Sequence, residues 1–123
     1  TSSASQTIDR IIDVFPTAQQ QQIRVQLSVS TIGVISQTLC KTTDKKRKLA
    51  AEILVNNNAV SNLIRESKSS QIYSQIQVGG KFGMQTLEQA LFQLIDEGLI
   101  TKDEAFYKCN RPNVLTSLLD SVQ

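Results

Sequence analysis

Few residues in this chain could do covalent chemistry. There is no histidine, so the commonest general base and metal ligand is missing. Cys40 and Cys109 are far apart and have no metal-ligand spacing; they read as buried or surface thiols of a reducing compartment. Paired carboxylates occur at Asp9 with Asp13 and at Asp96 with Glu97, on helix faces where such pairs are usually solvated. No serine or cysteine has a legible base beside it, so a nucleophilic triad is not assembled. The turn Gly79-Gly80-Lys81-Phe82-Gly83 looks like a phosphate loop only superficially. The G-x-x-x-x-G-K-[ST] pattern needs Ser or Thr after the lysine and a strand before the loop; Phe82 follows Lys81, and no strand precedes it. A tight turn between helices is the better reading. The basic run Lys45, Lys46, Arg47, Lys48 could bind phosphate. A solvated loop with edge-protecting lysines is the plainer reading, and the absence of interleaved aromatics argues against a stacking platform for single strands. The residues thus hold no complete active site.

The elements that would position these residues can be read in order. Ser3 and Gln6 have the spacing of a capping box, and Ile8, Ile11, Ile12 and Phe15 follow on one helical face until Pro16 stops it. Thr17 and Gln20 repeat the capping-box spacing, which predicts a second helix continuing through Ile23 and Leu27. Its end is ambiguous, because Val25, Leu27 and Val29 also alternate like a strand. After Gly33, residues 34–40 and 49–55 read as two strands of a hairpin whose tip, 41–48, is polar and basic. Asn57 or Asn58 caps a short helix with Val60, Leu63 and Ile64 on its apolar stripe, leaving Arg65 and Glu66 facing outward. Ser69 or Ser70 caps the next, carrying Ile72, Tyr73 and Ile76. Met84, Leu87, Leu91, Leu94 and Ile95 form the strongest amphipathic helix, ended by Gly98. Thr101 with Glu104 caps a short helix to about Cys109, and Pro112 opens a last one with Val114, Leu115, Leu118 and Leu119.

The 123 residues amount to one domain, long enough to bury roughly two-thirds of the unfolded surface. At 40% hydrophobic and 20% charged, with a net charge of +2, the composition is that of a soluble globular chain and implies no nucleic-acid partner. No apolar run reaches the length of a membrane span and no signal peptide is visible. The chain opens on Thr1 in mid-pattern, which suggests a piece of something longer.

Six stretches taken together resemble the C-terminal part of the type IV pilus retraction ATPases, the PilT-type twitching-motility motors of the secretion ATPase superfamily. They are 5–16 (SQTIDRIIDVFP), 19–27 (QQQQIRVQL), 33–39 (GVISQTL), 59–66 (AVSNLIRE), 71–77 (QIYSQIQ) and 83–91 (GMQTLEQAL), in the family's order and over most of the chain. The resemblance implies an α/β, predominantly helical fold: part of a RecA-like P-loop ATPase C-terminal domain, a β-hairpin or edge strands plus a helical bundle. It implies one unit over 1–123, with 1–56 the outer part of the RecA-like core and 57–123 the bundle. The family's phosphate loop, acidic boxes and conserved histidine lie upstream of the region matched, with Thr1 just after that histidine. ATP and Mg2+ would be bound by the full-length protein, and none is expected on this chain alone. Arg10 matches an arginine of the ATP site or a subunit contact; an ordinary surface arginine paired with Asp13 is the plain alternative. Ala59, Asn62, Leu63, Ile64, Arg65 and Glu66 match the retraction motif, while Ser61 replaces a usual arginine and Ser67 a usual glycine. The implied setting is a homo-hexamer at the cytoplasmic inner face of the bacterial membrane, touching the pilus inner-membrane platform proteins, with no specific nucleic acid. Two other readings remain open: a standalone helical module that docks to such a motor ring, and a small basic nucleic-acid binder.

Overall fold

The computed structural model describes residues 3–121; Thr1, which the resemblance sets beside an upstream histidine, lies outside them. Seven α-helices and one hairpin follow in the order α1 (Ala4–Asp13), α2 (Thr17–Ser30), β1 (Gly33–Lys41), β2 (Arg47–Val55), α3 (Asn58–Arg65), α4 (Ile72–Gln77), α5 (Leu87–Asp96), α6 (Lys102–Lys108) and α7 (Pro112–Asp120). Two 3-10 turns, Ser69–Gln71 and Gly80–Phe82, flank α4.

Caps account for several of these starts. The Ser3 hydroxyl accepts the Gln6 N–H, the Asn57 side chain accepts that of Val60, and Thr101 accepts that of Glu104. Elsewhere the expected caps are replaced. Thr17 is the first residue inside α2, because Pro16 (φ −57°, ψ 146°) occupies the cap position and supplies no side-chain bond. The strand-like alternation at the end of α2 is overridden, and the helix runs to Ser30. Neither Ser69 nor Ser70 caps α4, which grows out of the 3-10 turn with no side-chain cap. The helix expected from Met84 begins at Leu87 instead. Thr86 and Gln89 form a reciprocal capping box there, and Met84 packs back on the preceding turn. Gly98 (φ 74°) ends α5 in the left-handed conformation that glycine adopts without penalty.

The hairpin pairs antiparallel from Gly33 opposite Val55 to Lys41 opposite Arg47. Side chains alternate across it, so Ser36, Cys40, Ala50, Glu52 and Leu54 turn inward and are buried. The other face carries Ile35 (62% exposed), Leu39 (50%) and Leu49 (46%), with Leu39 directly opposite Leu49. Beside β2, away from β1, Gln85 exchanges both backbone hydrogen bonds with Ile53 (2.8 and 3.1 Å), a one-residue third strand.

Two apolar clusters lie under the inward face. One joins Ile8 and Ile12 of α1 to Leu54, Val60, Ile64, Ile72, Ile76 and Met84. The other joins Cys40 and Ala50 to Leu87, Leu91, Leu94, Ile100, Ala105 and Leu115. Each draws residues from both sides of position 56, with β2 feeding both. No helix is long and apolar enough to cross a membrane among the described residues.

Candidate functional site

Helix α3 splits the motif residues by face. Val60 and Ile64 are buried, and Leu63 packs against the same cluster. Ala59, Asn62 and Glu66 are exposed and Arg65 is half-buried, its guanidinium donating to Asn62 Oδ1. The Arg65 carbonyl accepts the Gln21 side-chain amide from α2 at 3.0 Å. Ser61, where the resemblance led one to expect arginine, is turned into the fold: its hydroxyl lies 2.8 Å from the Ser28 carbonyl and 3.1 Å from Asn56 Oδ1. Asn56 in turn donates to the carbonyls of Ser28 (3.0 Å) and Thr31 (2.8 Å). The start of α3 is therefore laced to the end of α2, and a polar groove of about 560 Å³ runs between them, lined by Asn57, Asn58, Asn62 and Arg65 among others. Ser67, the second departure, has φ 61°, a left-handed conformation that disfavours a residue with a Cβ.

Arg10 sits exposed in the last turn of α1. Its helix shares the first core cluster with α3, and Arg10 is on the solvent side of α1. Next to it, Asp9 accepts the Ser69 hydroxyl at 2.7 Å, tying α1 to the turn before α4.

Sequence reasoning missed two carboxylates that the fold buries. Glu52 (2% exposed) projects from the inward face of β2 between Ala50 and Leu54, and Oε2 accepts the backbone N–H of Ala4 at 2.9 Å. Burial pushes its carboxyl above the usual carboxylate range; the Ala4 N–H opposes the shift and the charge of Glu88 adds to it. Glu88 (0% exposed) accepts the Tyr73 hydroxyl at 2.7 Å and the backbone N–H groups of Asn110 and Arg111 at 2.8 and 3.1 Å. The Arg111 guanidinium lies 3.7 Å from the centre of the Tyr73 ring, a cation–π contact. Burial, then the bond to Glu88, raises the Tyr73 phenol so that it stays neutral. A cavity of about 240 Å³ opens beside this cluster, with Ser3, Ser5 and Gln6 on its other wall. Strand parity was the available signal for Glu52, and for Glu88 its place beside Leu87 and Leu91 in α5.

These groups join elements. The described residues contain no group of three His, Cys, Asp or Glu placed to hold a metal. The turn Gly80–Phe82 is not shaped as a phosphate loop: it is a 3-10 turn, and the Lys81 ammonium lies 5.1 Å from the Phe82 ring centre.

An antiparallel hairpin over a helical bundle matches the C-terminal domain of a secretion ATPase. The crystal structure of the pilus retraction motor PilT with bound ADP matches 95% of this chain and 32% of that one, with a TM-score of 0.85 and 42% identity. Among curated relatives, the type IV pilus retraction ATPase PilT of Pseudomonas aeruginosa is 47% identical over 112 residues, 91% of this chain and 33% of its own length. The twitching motility protein of Neisseria gonorrhoeae is 48% identical over 106 residues, 85% of this chain and 28% of its own. No family model matches. The chain is a homologue of the PilT-type retraction ATPases over the C-terminal part of their length, and it spans about a third of the first of these relatives.

Proposed function

We propose that this chain is the C-terminal part of a hexameric pilus-retraction ATPase. In the whole protein, ATP with Mg2+ would be hydrolysed at a site supplied mainly by the upstream part, and the domain motion would drive pilus disassembly. The carrying observation is the 47% identity to the Pseudomonas retraction ATPase, whose 112-residue span is too long to omit α3. In this reading Ala59, Asn62 and Glu66 form the outward working face of α3, with Leu63 and Ile64 seating it and Arg65 at its edge. The face meets the pilus inner-membrane platform proteins on the cytoplasmic side, and Arg10 is a contact to the ATP site or to a neighbouring subunit. The polar lacing through Ser61 supports a seated helix despite the lost arginine.

The test is a transplant. The matching third of the Pseudomonas retraction ATPase is replaced by this chain in cells lacking that motor. Twitching zones recovered by the chimera, and lost with Asn62→Ala plus Glu66→Ala, support the reading. A chimera that hydrolyses ATP normally yet never restores twitching overturns it. The 123-residue chain alone is expected to show no ATPase activity above a contaminant control.

A further inference from the structure

The positive charge of the chain is concentrated at one end of the hairpin. Residues 41–48 hold Lys41, Lys45, Lys46, Arg47 and Lys48 against the single carboxylate of Asp44. The whole chain has thirteen cations and eleven carboxylates, so the remainder is net acidic. All five cationic residues are exposed.

The tip that carries them is a built turn. Thr42 and Lys46 are bridged from the Thr42 N–H to the Lys46 carbonyl (2.9 Å) and from the Lys46 N–H to the Thr42 hydroxyl oxygen (2.8 Å). Lys45 N–H donates to the Thr42 carbonyl at 3.1 Å, and Lys45 takes φ 65°. Asp44 is engaged locally, accepting the Thr42 hydroxyl proton. From outside the hairpin, the Leu99 carbonyl accepts the Thr43 N–H at 3.0 Å and Glu104 accepts that of Lys41 at 2.6 Å. Lys41, Thr42, Lys45, Lys46 and Arg47 line a concavity of about 250 Å³.

Edge protection explains one or two lysines on a strand. It does not explain Lys41 directly opposite Arg47, a like-charge cross-strand pair that destabilises the hairpin. Charge held together against its own repulsion on a fixed turn suits an anionic partner. Residues 33–55 contain no aromatic side chain on which bases could stack, and the basic stretch is a single turn rather than a track. A plane of mobile anionic headgroups, which can gather under a small cationic tip, fits better.

We propose that the hairpin tip docks on an anionic lipid bilayer, with Lys41, Lys45, Lys46 and Arg47 engaging headgroup phosphates. The test is vesicle co-sedimentation of the intact protein, read without ATP, so its outcome is separate from that of the retraction reading. Phosphatidylcholine vesicles are compared with vesicles that also contain phosphatidylglycerol, with duplex DNA and inorganic phosphate as further arms. The wild type is expected on the anionic vesicles only, and less so as salt rises. Lys45→Asn with Lys46→Gln, which keeps a residue tolerant of the left-handed turn, is expected to lower partition by roughly 30-fold at about one lysine's worth of surface attraction each. Lys46→Gln with Arg47→Gln gives the same readout without touching the left-handed position at Lys45. Lys81→Gln, on a different surface turn, leaves binding unchanged. Equal binding to neutral vesicles, no loss in either double variant, or capture of duplex DNA but not vesicles overturns the proposal. So does full displacement by millimolar phosphate, which marks a free-anion site.

Discussion

Glu52 is the residue whose chemistry departs most from its appearance in the sequence. A carboxylate in a strand reads as solvent-facing, but parity places it between Ala50 and Leu54 under the sheet, where it holds the first turn of α1. Because its folded pKa is raised, the native state holds this proton more tightly than the unfolded chain does. The contribution is fully present below the unfolded value, near 4.5, and is lost as pH rises through the folded pKa. Denaturant melts across that window should therefore show stability falling with pH, with the fall reduced in Glu52→Gln; identical slopes would remove Glu52 as the cause. Glu88 is different in kind, because three donors converge on it. Glu88→Ala leaves the Tyr73 hydroxyl and two backbone N–H groups without their acceptor, and is expected to destabilise by about 3 kcal/mol or more. Ser67 carries the opposite expectation. At φ 61° it pays for a Cβ that glycine lacks, so Ser67→Gly should raise the unfolding free energy by about 0.5–1 kcal/mol, after the extra entropy of the unfolded glycine is subtracted.

At the scale of elements, the sequence was most legible where one local pattern governed the outcome. The stripe Leu87, Leu91, Leu94 gave α5, the β-rich run 34–40 and the apolar run 49–55 gave the hairpin, and the pair Asn57 or Asn58 gave the start of α3, where Asn57 is the cap. It was least legible where two start signals competed. Pro16 takes the cap position because its ring fixes φ, which pushes Thr17 inside the helix. Met84 looked helical by spacing, yet it is held by the turn: its N–H bonds the Gly79 carbonyl at 3.1 Å, and a Cβ on Gly79 would come within 2.7 Å of Met84 Cε. The outer faces of α1 and α3 were read from their apolar stripes, whereas the Ser61–Asn56–Ser28 lacing joins segments far apart in sequence and left no local trace. That lacing makes α3 a test case. Asn57→Ala should cost about 1 kcal/mol by removing the cap alone. Ile64→Ala, which opens a cavity in the first cluster, should cost about 2–5 kcal/mol. A twitching defect from Asn62→Ala with an unchanged melting temperature would support the working role proposed for the outer face of α3, apart from its seat.

Across the whole molecule, the hairpin is paired along β2 by Gln85, whereas the outer edge of β1 is met only near the tip, where Glu104 and Leu99 accept the N–H groups of Lys41 and Thr43. Ile53 turns its N–H to Gln85, so the antiparallel pattern puts the β1–β2 bonds at the even-numbered pairs. The N–H groups of Ile35, Gln37 and Leu39 then point to the open edge of β1, beside the exposed face of Ile35, Leu39 and Leu49. Amide exchange in this chain should be fast at those three residues and slow at Leu91 and Leu94; equal protection would mean that something covers the edge. The family resemblance set the architecture correctly because its six stretches sample both clusters, but it was silent on the buried carboxylates, whose partners are backbone N–H groups and, for Glu88, the Tyr73 hydroxyl. The reciprocal pair between Ile53 and Gln85 has a mechanical consequence. A force along β2 loads the nine-residue ladder and this clasp in shear, with every rung resisting together. A force across the sheet meets the clasp as a zipper with a single tooth. The sheet is thus expected to resist load along β2 better than load across it, with both cores, which share the hairpin's inward face, taking up the rest.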